Sequence, residues 1–280
     1  MKFINSEEAI LNTAKTAPYL TFPVLSGLNY IKHGFSTRLG GVSEGFYQSM
    51  NLSYSVGDEK EKVDKNYRII CDSLDMNYED VVATHQVHKT NVRLITQEDK
   101  GKGLFLPRDY EEIDGFVTDI PNIPLATFYA DCVPLFFVDT KNHAIGLSHS
   151  GWRGTVGKMG KATLTAMKEY FQTNTMDVVA VIGPSICKDC YEVDQMVYDE
   201  FKKVFSSEDL SKIISRSSKA SDKFQLNLWE ANKRILLEEG VPEKNIHISG
   251  VCTSCNEDLL YSHRASKGKR GTLAAFLMLK

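Results

Sequence analysis

The chain reads as a single mixed α/β (α+β) domain, with mixed sheets flanked by helices. Three observations predict this. Residues 124–130 and 133–138 are near-continuous apolar runs, as buried strands require. Apolar residues also recur at helical spacing between such runs. Strands and helices mix without a strict βαβ alternation, and no repeat or low-complexity linker marks a second domain. A length of 280 residues is long for one domain but within the range of α/β domains. The domain is therefore taken as 1–280, with residues 1–25 an N-terminal extension of little information.

Residues 30–37 (YIKHGFST) predict a strand entering the turn Gly40-Gly41. Val63, Tyr67, Ile70 and Leu74 mark an amphipathic helix over 59–74, their spacing of four, three and four matching one helical face. Residues 81–95 interleave β-branched and polar residues and read as extended. The two apolar runs follow, then a turn at 139–142 (DTKN) and a returning strand at 144–148. Val156, Met159, Met167 and Tyr170 form a helical stripe that includes Thr163. Residues 178–182 form a buried strand ending at Gly183-Pro184. Asn227 is the expected N-cap of a helix, with Glu230 three residues on, and Gly240 is its stop. Residues 246–251 and 272–279 close the chain as strands. The polar stretches 54–65 and 207–223 read as surface loops.

Hydrophobic residues make up 42% of the chain and charged ones 25%, an ordinary globular composition. A net charge of −3 gives no basic field for nucleic acid or an anionic membrane. No stretch approaches the ~20 apolar residues of a membrane span. Glu7 and Glu8 precede any apolar run, so the N-terminus does not read as a secretory signal. A chain of this kind is expected in the reducing cytoplasm. There its six cysteines, Cys71, Cys132, Cys187, Cys190, Cys252 and Cys255, serve as ligands, nucleophiles or packing.

His88, Cys132 and His149 each sit at or near the end of a strand-like stretch. Three such donors without a fourth nearby fit a catalytic zinc, which keeps a position open for water or substrate. Hairpin pairing across a turn centred between residues 140 and 141 places Cys132 opposite His149, whereas His88 must come from another strand. The bland alternative is a buried cysteine and two satisfied polar histidines. Two further pairs, Cys187/Cys190 and Cys252/Cys255, each have CxxC spacing. They are much farther apart than in a compact zinc ribbon, which favours separate thiols, although both follow buried strands and could meet.

Residues 148–154 (SHSGWRG) turn directly into a helix whose start suits an anion, with Arg153 beside it. Arg38 lies in a similar turn after Ser36 (STRLGG). Two arginines at glycine-rich strand ends suggest a phosphate or carboxylate pocket, and their alternative is an ordinary surface location. Asp131 is a candidate general acid/base or orienting group, Glu192 is a second, and His263 and Arg264 could line a pocket.

These motifs together resemble the YfiH/YlmD-like family, whose members carry the labels laccase-domain protein, polyphenol oxidase and purine nucleoside phosphorylase. The resemblance rests on GFSTRLGGVS, THQVH, ADCVPL, HSGWRG, IGPSICKDCYEV, CTSCNEDLLYSHR and KRGTLAAF, in that order. It implies a fold like that of the cytotoxic necrotizing factor catalytic domain. It also implies His88, rather than His85, with Cys132 and His149 as ligands of a Zn2+ ion, copper being the alternative metal. The implied activity is phosphorolysis of adenosine, inosine, guanosine and methylthioadenosine, together with adenosine deamination. The partners are then a purine nucleoside and phosphate, with the chain a monomer or homodimer. The sequence KRGT departs from the Thr-Gly-Arg form common in the family, which leaves the role of Arg270 open.

Three other readings compete. The first is a copper-dependent polyphenol oxidase: a full multicopper enzyme adds a histidine-rich trinuclear cluster to a site of two histidines and a cysteine, which seven histidines, none in an HxH pair, do not supply, whereas a mononuclear copper site stays open. A cysteine hydrolase or deamidase would use Cys132 as nucleophile and His149 as base. A non-enzymatic binding module would leave the three side chains apart.

Overall fold

The computed structural model describes residues 7–218 and 220–280. It contains two six-stranded mixed sheets packed face to face. The first runs in the order β1 (Ile10–Asn12), β2 (Tyr19–Thr21), β3 (Ile31–Ser36), β15 (Leu273–Leu279), β7 (Leu125–Tyr129), β4 (Val82–Ala83). The second runs β14 (Ile246–Ile248), β10 (Val178–Ile182), β8 (Val133–Asp139), β9 (Ala144–Ser150), β6 (Gly115–Thr118), β5 (Val92–Leu94). A small third sheet joins β11 (Glu192–Val193), β13 (Phe224–Leu226) and β12 (Ile214–Arg216).

Alternation along each strand builds the layers. Leu273, Ala275 and Leu277 of β15 meet Phe136, Val138, Ile145 and Leu147 of the second sheet in a shared core. Ala274, Phe276 and Met278 face the other way, against α2 (Lys60–Ser73). On the far side of the second sheet, Val133, Leu135 and Phe137 pack against helices. These are α4 (Met159–Phe171), α5 (Gln195–Val204), α6 (Ser207–Ile213) and α7 (Leu228–Glu238). The short α1 (Pro23–Ser26) and α3 (Trp152–Val156) turn the chain at sheet ends. No helix of the described residues is long and apolar enough to cross a membrane.

The α2 stripe stands as expected, with Val63, Tyr67, Ile70 and Leu74 all buried. The mixed sheets flanked by helices stand as expected, although burial on both faces does not tell which sheet an apolar run will join. Several expectations are corrected. Part of the N-terminal extension belongs to the fold, since β1 and β2 extend the first sheet and bury Ala17, Leu20 and Phe22. Residues 81–95 are not continuous: β4 and β5 lie in different sheets with a loop between them. The 139–142 turn moves by one residue, because Asp139 still pairs with Ala144. His149 is therefore opposite Pro134, two residues from the expected partner, a shift that preserves its face. The 156–170 stripe is broken by Lys158 in the left-handed region (φ 60°), and Tyr170 is exposed. Segment 207–223 holds α6 and β12, capped by Ser206, whose side chain accepts from the Asp209 N–H. Helix α2 begins at Lys60, so the 54–65 loop is shorter than expected, as is the strand at 246–251, which ends at Ile248. The left-handed turn at Gly250 (φ 67°) follows it.

Candidate metal centre and its pocket

Cys132 immediately precedes β8, and His149 is the next-to-last residue of β9. His88 comes from the loop between β4 and β5 rather than from a strand, and its backbone is left-handed (φ 63°). The donor atoms of the three lie within 4.8 Å of one another. Cys132 Sγ is 3.9 Å from His88 Nε2. With bonds of about 2.3 Å to sulfur and about 2.0–2.1 Å to nitrogen, one zinc ion spans that gap. The donor set therefore fits a borderline-soft metal held by two imidazoles and a thiolate.

Asp114, which sequence reasoning missed, assembles the site. It is fully buried just ahead of β6. Its Oδ1 accepts from His149 Nδ1 at 2.9 Å and from the His88 backbone N–H at 3.0 Å. Its Oδ2 accepts from the N–H groups of Val87 and Lys89, each at 3.1 Å. A carboxylate can only accept, so Nδ1 of His149 carries a proton and Nε2 is left for the metal. Burial pushes the Asp114 carboxyl up, but His149 and the loop N–H groups outweigh it and hold it below the usual range.

Burial also opposes charge on Cys132 and His149, yet their mutual attraction wins. The Cys132 thiol is pulled down to about 6. The His149 imidazole is pushed up to about 9 by Cys132 and Asp114. Each group thus favours the charged form of the other, and a metal at Nε2 competes with a proton there.

Other residues fix the geometry. The Gln86 side chain bonds both the N–H (2.6 Å) and the C=O (2.8 Å) of Phe128, pinning the His88 loop to β7. Gly151 lies directly under the ligands: a Cβ there would sit 2.9 Å from Cys132 Sγ and 3.0 Å from His88 Cδ2. Beneath the glycine turn, the Ser150 hydroxyl donates to Asn232 Oδ1 (3.0 Å), and Asn232 Nδ2 donates to Thr155 Oγ1 (3.2 Å). This buried network ties the turn to α7.

The three ligands share the wall of a pocket of about 520 Å3 with Tyr129, Phe128 and Arg270. Arg270 Nη1 donates to Thr272 Oγ1 at 2.9 Å, while its buried Nε–H has no partner among the described residues. Burial lowers the Arg270 pKa, against the pull of Asp131 and Cys132.

The other expected residues are placed as follows. Asp131 is buried with a left-handed backbone (φ 86°). Both its oxygens are engaged, Oδ1 by the Thr253 hydroxyl (2.6 Å) and Oδ2 by the Arg264 N–H (2.7 Å), which is an orienting arrangement. Arg38 stacks on Tyr261 and donates to the carbonyls of Gln48 and Glu257. Ser36 is buried, with Oγ accepting from the Ala274 N–H at 2.9 Å. Arg153 is exposed and stacked on Trp152, at the start of a five-residue helix. Arg264 reaches the Glu192 carbonyl (2.9 Å) and lies over Tyr191, whereas His263 is exposed in the adjoining turn. The Glu192 carboxylate accepts from Ser217. None of these borders the pocket that Arg270 enters.

Comparison with known proteins gives a consistent set. A family described as "Multi-copper polyphenol oxidoreductase laccase" matches residues 32–280. The chain is 38% identical to "Purine nucleoside phosphorylase YlmD" of Bacillus subtilis, over 88% of each chain. It is 34% identical to "Adenosine deaminase RL5" of an unknown prokaryotic organism, over 82% of this chain and 87% of the other. The crystal structure of YlmD from Geobacillus stearothermophilus superposes with a TM-score of 0.89 at 31% identity, covering 98% of this chain and 100% of that one.

Proposed function

The chain belongs to the laccase-domain family of YfiH- and YlmD-like proteins, and from that premise we propose that it is a zinc-dependent enzyme of purine nucleosides. The proposed reactions are phosphorolysis of adenosine, inosine, guanosine and methylthioadenosine to the free base and the (methylthio)ribose 1-phosphate, and deamination of adenosine. The observation that carries the proposal is the three-donor centre on the wall of a pocket large enough for a nucleoside. The names of the phosphorylase and deaminase relatives support the same substrate class.

His88, Cys132 and His149 would hold the ion, and when bound it would supply Lewis acidity at an open coordination position. Asp114 keeps Nε2 of His149 turned to the site. Tyr129 and Phe128 give an apolar wall on which a purine can pack. Arg270 brings a positive charge to the same cavity, which suits phosphate. Arg153 stacks on Trp152 outside the pocket, and Arg38 has committed its fork to backbone carbonyls. Asp131 holds the backbone ahead of Cys132 in place.

Incubation with inosine and phosphate should release hypoxanthine and ribose 1-phosphate. No product from the metal-loaded protein, or full activity in Cys132→Ala, would defeat the proposal. Metal analysis of protein purified without added copper decides between zinc and copper, since copper(II) outcompetes zinc at most such donors. The closeness of the Cys132 thiol to the His149 imidazole favours a second reading, a cysteine hydrolase. Chelation separates the two: a thiol hydrolase keeps its activity and a zinc enzyme loses it.

A further inference from the structure

Four of the six cysteines lie outside this pocket and meet in one place. Cys187 and Cys190 bracket a tight turn after β10, and Cys252 and Cys255 bracket another after β14. β10 and β14 pair in parallel, so their carboxyl ends emerge side by side, and a bridge between Ser185 and Cys252 continues the contact. This parallel pairing is what joins CxxC motifs that the sequence keeps far apart.

Cys255 Sγ is 3.5 Å from Cys190 Sγ and 4.0 Å from Cys187 Sγ, and all four sulfurs lie within 4.8 Å of one another. A disulfide would need about 2.05 Å. Bonds of about 2.3 Å arranged as a tetrahedron give an edge of ~3.8 Å, which the two distances bracket. The N–H groups of Cys187 (3.2 Å) and Cys255 (3.4 Å) both donate to Cys252 Sγ. Such donors stabilise a sulfur that carries negative charge. An iron–sulfur cluster, whose cysteines bind different irons, spreads its ligands more widely than this.

We propose that Cys187, Cys190, Cys252 and Cys255 bind one zinc ion in a closed structural site, distinct from the three-ligand centre. Four protein ligands leave no open position, so this ion has no catalytic role. Uptake releases the remaining thiol protons to solvent. Its effect is mechanical and reaches the pocket through Asp131. Thr253, between the two downstream cysteines, donates to Asp131 Oδ1, and the Ile186 N–H donates to the Asp131 carbonyl (3.0 Å). The zinc knot thereby fastens the backbone that presents Cys132.

The test uses His88→Ala/Cys132→Ala protein, in which the first centre is dismantled, purified without added metal. Mass-spectrometric metal analysis should find one zinc per chain, lost when Cys190→Ser is added. Cobalt substitution in the double variant should give the intense thiolate-to-cobalt charge transfer and visible bands of a tetrahedral sulfur site. If the cysteine variant does not fold, alkylation of the wild-type protein gives the answer: these four thiols should resist until a strong chelator is added. A double variant without zinc, iron in its place, a Cys190–Cys255 disulfide, or immediate alkylation of all four would each overturn the proposal.

Discussion

The carboxylate of Asp114 binds His149 and three consecutive backbone N–H groups at once, so removing its charge should loosen both histidine ligands. Asp114→Asn is expected to weaken metal binding about 10–100-fold, the range for lost partners of metal ligands, as read by competition with a chromophoric chelator. Unchanged affinity would mean that the loop holds His88 unaided. Gly151→Ala forces a methyl group to within 3.0 Å of two ligands. It should lower metal retention while circular dichroism stays native, and full retention would show that the ligands can give way. The grouping of His88, Cys132 and His149 was legible because each stands in a motif at or near a strand-like end. Asp114 was not, because an aspartate in EEIDGF carries no periodic signal and becomes meaningful only when β6 is laid beside β9. Arg270 was marked by its KRGT motif, but its place on the pocket wall is a property of packing.

Elements follow the same division. Helix α7 starts at Asn227, whose side chain accepts from the Glu230 N–H at 3.2 Å, as its sequence predicts. The reciprocal half of a capping box is missing, because the Glu230 carboxylate binds Arg234 instead. Asn227→Ala should therefore cost about 1 kcal/mol, visible as a lower midpoint in urea; no shift would assign the helix start to packing alone. His33 on β3 accepts from the Phe22 N–H at 2.8 Å and joins the strand to the turn before α1. Burial depresses its pKa from 6.5 to about 4. The unfolded chain takes up that proton first, so its contribution is complete above about pH 6.5 and drains away as pH falls to about 4. The loss should total about 3 kcal/mol at ~1.4 kcal/mol per unit, and His33→Gln should flatten that limb of the stability curve. An equally steep limb in the variant would place the effect elsewhere. Helix α2 was readable because four apolar residues on one face outvote its charges. Residues 84–91 were not, because the Gln86 bonds to Phe128 and the bonds that loop N–H groups donate to Asp114 pull an extended-looking sequence into a loop.

At the scale of the molecule, the shared core between the sheets carries the fold. Phe136 is fully buried there and meets Phe22 edge-on at 5.1 Å. Phe136→Ala should cost about 3–5 kcal/mol by denaturant unfolding, and a cost below 1 kcal/mol would argue that the sheets close over the gap. The mixed α/β class was legible from buried runs and helical stripes. The division into two sheets was not, because it depends on partners distant in sequence, and β15 is the clearest case. That strand lies between β3 and β7, so Ser36 and Ala274 bond across a separation of 238 residues. During synthesis on the ribosome, β3 and β7 emerge before β15 and wait with unpaired edges until residues 273–279 have been made. Such edges invite pairing between nascent chains, so a chain cut short before residue 273 would be a sticky fragment rather than a smaller working protein.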